Sequence, residues 1–169
     1  MTSGYLSSFE PAMRLALDQA ALALEGEDVP VGAVVLDGAG AVVGAGHNRR
    51  EADHDPTAHA EIVAIRQAAA ARAGWRLDGH TLVVTLEPCT MCAGAAINAR
   101  LGRLVYGAPD PRAGAAGSLW DVLRDRRISP QVEVIGGVLE AESADLLREV
   151  FARRRSPPAA GPPADQPRR

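Results

Sequence analysis

The stretch 81–108, TLVVTLEPCTMCAGAAINARLGRLVYGA, carries the reading of the fold. Thr81–Leu86 is a short aliphatic and β-branched run, the composition of a strand. Pro88 and Cys89 interrupt it, and a helix is expected from about Cys89 to Ala99. Arg103–Gly107 returns to strand composition. Strand, helix and strand in that order imply a right-handed crossover between parallel neighbours.

On the N-terminal side, HAEIVAIRQAAAARA (59–73) predicts a helix with Ile62, Ile65 and Ala69 on one side. Asp55 or Thr57 is expected to cap it, which places His59 and Glu61 in its first turn. The polar run His47–Asp55 reads as a loop. Before it, PVGAVVLDGAGAVVGAG (30–46) predicts two strands, Val31–Leu36 and Val42–Ala45, joined by a tight turn at Asp37–Gly40. Residues 12–24 repeat Met13, Leu17, Ala20 or Ala21, and Leu24 at helical spacing, with Pro11 suited to the first turn.

On the C-terminal side, PDPRAGAAGSL (109–119) is a glycine-rich loop. A short helix is expected at Leu119–Leu123, a fifth strand at Gln131–Gly136, and a closing helix over 140–155 through Leu146, Leu147, Val150 and Phe151. Trp75, in the segment GWRLDG (74–79), is expected in the core. The sum is an α/β protein, a three-layer α-β-α sandwich around a central five-stranded mixed sheet. Residues 1–155 form one domain. The tail 156–169, with five prolines and no apolar period, is expected to be disordered.

Composition narrows the function classes. The chain has 169 residues and 47% hydrophobic content, enough for one core without disulfide staples. All 18 basic residues are arginine, yet the net charge is -3. That balance argues against a broadly basic nucleic-acid coat, while leaving room for a local arginine patch. The two cysteines, Cys89 and Cys92, are too close in sequence to staple a fold. The first 30 residues lack a basic start followed by a long apolar run, so neither a signal peptide nor a membrane span is expected, and the reading is cytoplasmic.

Cys89-Thr90-Met91-Cys92 alone is ambiguous. Positions three apart share a helix face, so both sulfurs can reach one object. A redox dithiol, half of a zinc site and two buried cysteines all fit. His59-Ala60-Glu61 changes the balance, because one imidazole and two thiolates make three protein ligands and leave a fourth position open for water, as catalytic zinc requires. Glu61 is too close to His59 to coordinate beside it, but it can lean over the open position and move protons.

At this point the chain resembles a known family. TAHAEIVAIRQA (57–68) and TLEPCTMCAGAAI (85–97) are similar to the paired HxE and PCxxC signatures of the zinc-dependent nucleobase deaminases. VPVGAVV (29–35), GHNR (46–49), HDPTAHAE (54–61), YGAPD (106–110) and GAAGSLWDVL (114–123) resemble the bacterial tRNA-specific adenosine deaminases within it. The likeness runs over roughly residues 10–155. It implies a cytidine-deaminase-like fold, one zinc ion per subunit held by His59, Cys89 and Cys92, and Glu61 as the catalytic acid/base. It further implies Asn48 on the bound purine, Val31 and Leu86 around the flipped base, and Asp110 near its sugar. Arg153 and Arg154 would meet the RNA stem-loop. The reaction implied is hydrolysis of wobble adenosine to inosine and ammonia in a tRNA anticodon stem-loop, that of an arginine tRNA, by a homodimer. His47 departs from the pattern, standing where relatives often carry tryptophan.

Three rival readings remain. A zinc deaminase of a free base or nucleoside, guanine or cytosine, would use the same triad and glutamate. A thiol–disulfide redox protein would leave His59 and Glu61 idle. A catalytically silent RNA-binding module has no need of an open metal position.

Overall fold

A computed structural model of the protein describes residues 2–155. In chain order the elements are α1 (Thr2–Ser7), α2 (Glu10–Leu22), β1 (Gly32–Leu36), β2 (Val42–His47), α3 (Arg50–Asp53) and α4 (Ala60–Ala71). β3 (Thr81–Leu86), α5 (Thr90–Asn98), β4 (Arg103–Ala108), β5 (Glu133–Gly136) and α6 (Glu140–Arg155) follow. The strands form one sheet in the order β2-β1-β3-β4-β5. β1 runs antiparallel to both β2 and β3, whereas β3, β4 and β5 run parallel, so α5 crosses from β3 to its parallel neighbour as expected.

Alternation along the strands sends side chains to two cores. Val34, Val83, Val105 and Ile135 face α2, where Phe9, Met13 and Ala16 meet them. Ala33, Val35, Leu82, Val84 and Leu104 face α4 and α5, and the helices answer with Ala60, Ala64, Ile65, Ala68, Ala93 and Ala96. Each fully buried aliphatic side chain such as Met13 or Leu82 contributes about 1.5–3 kcal/mol relative to exposure. Arg14 of α2 pairs with Glu142 of α6 at 3.2 Å, tying these two helices together.

Small residues let the helices lie close on the sheet. A β-carbon on Gly32 would sit 2.0 Å from the Ala16 carbonyl of α2, and one on Gly44 would sit 2.4 Å from the Ala64 carbonyl of α4. Glycine at these two positions is therefore a packing requirement, since no rotamer could relieve contact with backbone.

Several sequence expectations need correction. Part of the expected loop His47–Asp55 is ordered, with His47 ending β2 and Arg50–Asp53 forming α3. The cause lies 22 residues away: the Asp28 carboxylate, 2% exposed, accepts the N–H groups of Arg50, Glu51 and Ala52 at 3.0–3.4 Å. The short helix expected at Leu119–Leu123 is absent; this segment turns instead, with Ala116 bridging Asp121 and the Gly117 N–H donating to Trp120 O. Gly117 has φ 129°, a value a helix does not contain. Trp75 is not core but 63% exposed, its ring beneath the Arg76 guanidinium at 5.7 Å. The first long helix ends at Leu22 and tightens into a 3-10 turn through Gly26, because Glu27 adopts a left-handed φ of 58°. The fifth strand begins at Glu133 rather than 131. The proline-rich tail 156–169 lies outside the described residues. Among the described residues no helix is long and apolar enough to cross a membrane.

Candidate active site

The chemistry gathers where two helices begin. α4 starts at Ala60 with His59 at its N-cap, in an extended conformation (φ −76°, ψ 152°). α5 starts at Thr90 with Cys89 at its N-cap, also extended (φ −73°, ψ 174°). Neither helix therefore starts where the sequence reading put it: Asp55 spends its carboxylate on Thr57 through N–H and hydroxyl, and Cys89 precedes the helix instead of belonging to it. Neither N-cap side chain bonds its own helix, so both are free to point at a common object. Cys92, one turn into α5, is fully buried.

His59 Nδ1 lies 3.7 Å from Cys89 Sγ and 3.6 Å from Cys92 Sγ. All three ligand atoms fall within 4.8 Å of one another, an arrangement that could hold a metal ion. Tetrahedral zinc with ordinary Zn–S and Zn–N bonds needs N···S separations of about 3.5 Å and S···S of about 3.8 Å. The residues fit the ion with little movement.

Charge is unevenly shared in this cluster. The Cys92 thiol donates to Cys89, and this bond is the main reason the Cys89 thiol is held at about 3, with His59 helping against burial. The same bond, then burial and the nearby Glu61, push Cys92 up. The contact with Cys89 raises His59, with burial opposing and the Glu61 charge assisting. Glu61 is 4% exposed. Burial raises its carboxyl above the usual range, against the pull of its own N–H and of His59. The buried stripe of α4 is Ala60, Glu61, Ala64, Ile65 and Ala68; of the expected Ile62, Ile65 and Ala69, Ile65 is buried and the other two are half-buried. The glutamate thus sits on the inward face of its helix, beside the sulfurs.

Asn48 braces this wall. Its Nδ2 donates to Val29 O at 3.0 Å and its Oδ1 accepts from the Ala60 N–H at 2.9 Å, joining the entry to β1 with the first turn of α4. One Nδ2 hydrogen is not used in these two bonds. Val31 packs in the core on the α4 and α5 side of the sheet. Leu86 and Asp110 line a groove of about 500 Å³, together with Val29, Arg112, Arg148 and Phe151. Arg153 and Arg154 fall in the last turn of α6, and their side chains lie outside the description. His47, at the end of β2, has a buried Nδ1 without a hydrogen-bond partner, and burial followed by Arg49 lowers its pKa.

Sequence reasoning missed two carboxylates, Asp28 and Glu87. Glu87 is 2% exposed and accepts four hydrogen bonds from the loop 110–118. Burial works to raise its pKa, but the Ser118 hydroxyl and the N–H groups of Asp110, Ser118 and Ala116 outweigh it and hold the carboxyl low. The one available signal was an acidic residue placed between a buried strand and Pro88-Cys89.

Residues 6–108 match the cytidine and deoxycytidylate deaminase zinc-binding region. The chain is 43% identical over 143 residues to the tRNA-specific adenosine deaminase of Bacillus subtilis (strain 168), covering 85% of this chain and 88% of that protein. It is 53% identical over 148 residues to a tRNA(Ile)-lysidine synthase of Deinococcus radiodurans, covering 86% of this chain but only 25% of that longer protein. A structure solved in a study of A-to-I editing by tRNA:A34 deaminases at the wobble position superposes with TM-score 0.77. It is 45% identical, and the match covers 80% of this chain and 98% of that one.

Proposed function

The chain belongs to the cytidine and deoxycytidylate deaminase zinc-binding family, and from that premise we propose that it hydrolyses wobble adenosine in a tRNA anticodon loop to inosine, releasing ammonia. The class of reaction, zinc-dependent hydrolytic deamination, follows from the family and the triad. One observation carries that chemistry: His59, Cys89 and Cys92 converge within 4.8 Å, with the buried carboxylate of Glu61 beside them. The likeness to a tRNA-specific adenosine deaminase along most of the chain supports the substrate.

His59 Nδ1 and the sulfurs of Cys89 and Cys92 would hold one zinc ion per subunit, which when bound would supply the Lewis acid that makes water a nucleophile near neutral pH. Glu61 takes one proton from the attacking water and gives it to the purine ring nitrogen, then moves the remaining hydroxyl proton to the departing amine, so adenosine and water become inosine and ammonia. Its burial keeps the proton exchange away from bulk solvent. Asn48 holds the start of α4 in place and offers its remaining Nδ2 hydrogen to the purine. Val31 and Leu86 bound the base, and Asp110 receives the nucleotide sugar. Arg153 and Arg154 meet stem-loop phosphates. Bases of an anticodon loop are already unpaired, so turning one into the groove costs less than from a duplex.

The working form is a single deaminase domain over residues 1–155, paired as a homodimer in the cytoplasm. Leu119 and Trp120, both exposed on the loop after Ser118, suit a protein contact, and light scattering tests the dimer. The decisive assay incubates zinc-loaded protein with an arginine anticodon stem-loop carrying adenosine at the wobble position, and separately with guanine and cytidine. Inosine from the RNA is the expected product. Ammonia from guanine or cytidine, with no inosine in the RNA, overturns the substrate assignment.

A further inference from the structure

We propose that Glu87 is a positioning residue, holding the Asp110 wall of the groove in register with the metal-ligand segment; this rests on the deaminase reading above. The loop beyond β4 is held partly by its own backbone bonds and partly by residues 87–89. Ala115 and Ala116 are buried in the core, and the N–H groups of residues 114–117 need acceptors. Gly114 and Gly117 find theirs nearby, at Asp110 O and Trp120 O, whereas Ala115 and Ala116 reach across to Pro88 O and the Glu87 carboxylate. Glu87 Oε1 accepts the N–H of Ala116 at 2.9 Å and of Ser118 at 3.0 Å. Oε2 accepts the Asp110 N–H at 3.0 Å and the Ser118 hydroxyl. A carboxylate has about four acceptor sites, and all are taken.

The neighbours of Glu87 extend the seam. Its own N–H donates to Ala108 O at 2.8 Å, Pro88 O accepts the Ala115 N–H at 2.8 Å, and Cys89 bridges Gly114. Residues 87–89 are thus zipped to 108–118 up to the backbone of Cys89. Any shift of the loop is a shift of Asp110 relative to Cys89. Gly114 completes the fit, because a β-carbon there would lie 2.5 Å from the Glu87 carboxyl carbon and from Asp110 O.

Glutamine separates this role from simple stabilisation. Its carbonyl can still serve Ala116 and Ser118, but its NH₂ would face the Asp110 N–H, donor against donor. The Asp110 end should then release while the rest stays bound. In zinc-loaded full-length Glu87→Gln, KM for the anticodon stem-loop should rise about tenfold and kcat change less than about threefold, the scale of one lost charge-assisted bond. Zinc stoichiometry should be unchanged. Hydrogen exchange should quicken at the Asp110 amide and not along α5. Gly114→Ala should act in the same direction, and Ser118→Ala more weakly, by about threefold.

An unchanged KM with unchanged exchange at Asp110 overturns the proposal, as does a fall in kcat with zinc loss at constant KM. If Glu87→Gln does not fold, Gly114→Ala and Ser118→Ala decide, and parental KM in both overturns it. Should the parent protein make no inosine, the substrate reading fails, whereas exchange at Asp110 still reports whether Glu87 holds the loop.

Discussion

The metal-triad side of the site and the loop joined to it at residues 87–89 are held by different means. The metal wall is built from regular elements. Its ligands sit at the N-caps of α4 and α5 and one turn into α5, so their places follow from backbone geometry and from helices packed on alanine and glycine. The neighbouring wall, residues 109–118, contains no helix or strand and takes its shape from one buried carboxylate, a few backbone bonds to 87–89 and turns of its own. A wall of the first kind has many small supports and should tolerate the loss of any one. A wall of the second kind has few, and a single atom change can move it.

The largest effect expected on the metal wall is chemical. Glu61→Ala should lower kcat by about 10²–10⁴-fold, the usual weight of a general acid/base. It should keep one zinc per chain and melt no lower than the parent, since it removes a carboxyl that burial penalises. Melting and metal analysis beside turnover check this; near-parental turnover would remove Glu61 from the proton path.

Next comes Cys92→Ser. A hydroxyl is a poor zinc donor, so bound zinc should fall well below one per chain and the rise in Tm on adding zinc should shrink. Unchanged metal stoichiometry and affinity would take Cys92 out of the ligand set. Asp28→Ala sharpens the comparison, because α3 rests on a long-range carboxylate as the 109–118 loop does. It should cost about 1–3 kcal/mol in denaturant unfolding, from buried N–H groups left without an acceptor. A smaller loss would mean that water replaces the carboxylate. Smallest of all, Trp75→Ala should stay within about 0.5 kcal/mol of the parent, because the ring lies on the surface. A large loss would restore the core role expected from sequence.

Much of the fold was legible because its signals are local. Thr81–Leu86 matched the expected strand to the residue, and the parallel pairing of β3 with β4 followed from strand, helix and strand in order. The triad was legible because PCxxC and HxE sit on short, rigid spacings. What was misread depended on partners distant in sequence. α3 exists because of Asp28, and the segment 119–123 turns back on Gly114, Ala115 and Gly117 in a loop that Glu87 and Pro88 anchor. Trp75 was placed in the core on hydrophobicity alone, although a large ring can also lie outward beneath an arginine.

By itself the sequence determined the layer order, the helix starts to within a residue or two, and the set His59, Glu61, Cys89 and Cys92, because period and spacing act over a few residues of backbone. Only the tertiary structure decided that Nδ1 is the nitrogen of His59 facing the sulfurs, that Asn48 spends its oxygen on Ala60, and that Glu87 gathers a loop more than twenty residues away. Those choices are made by buried donors seeking the nearest acceptor in space, and nearness in space is not written along the chain.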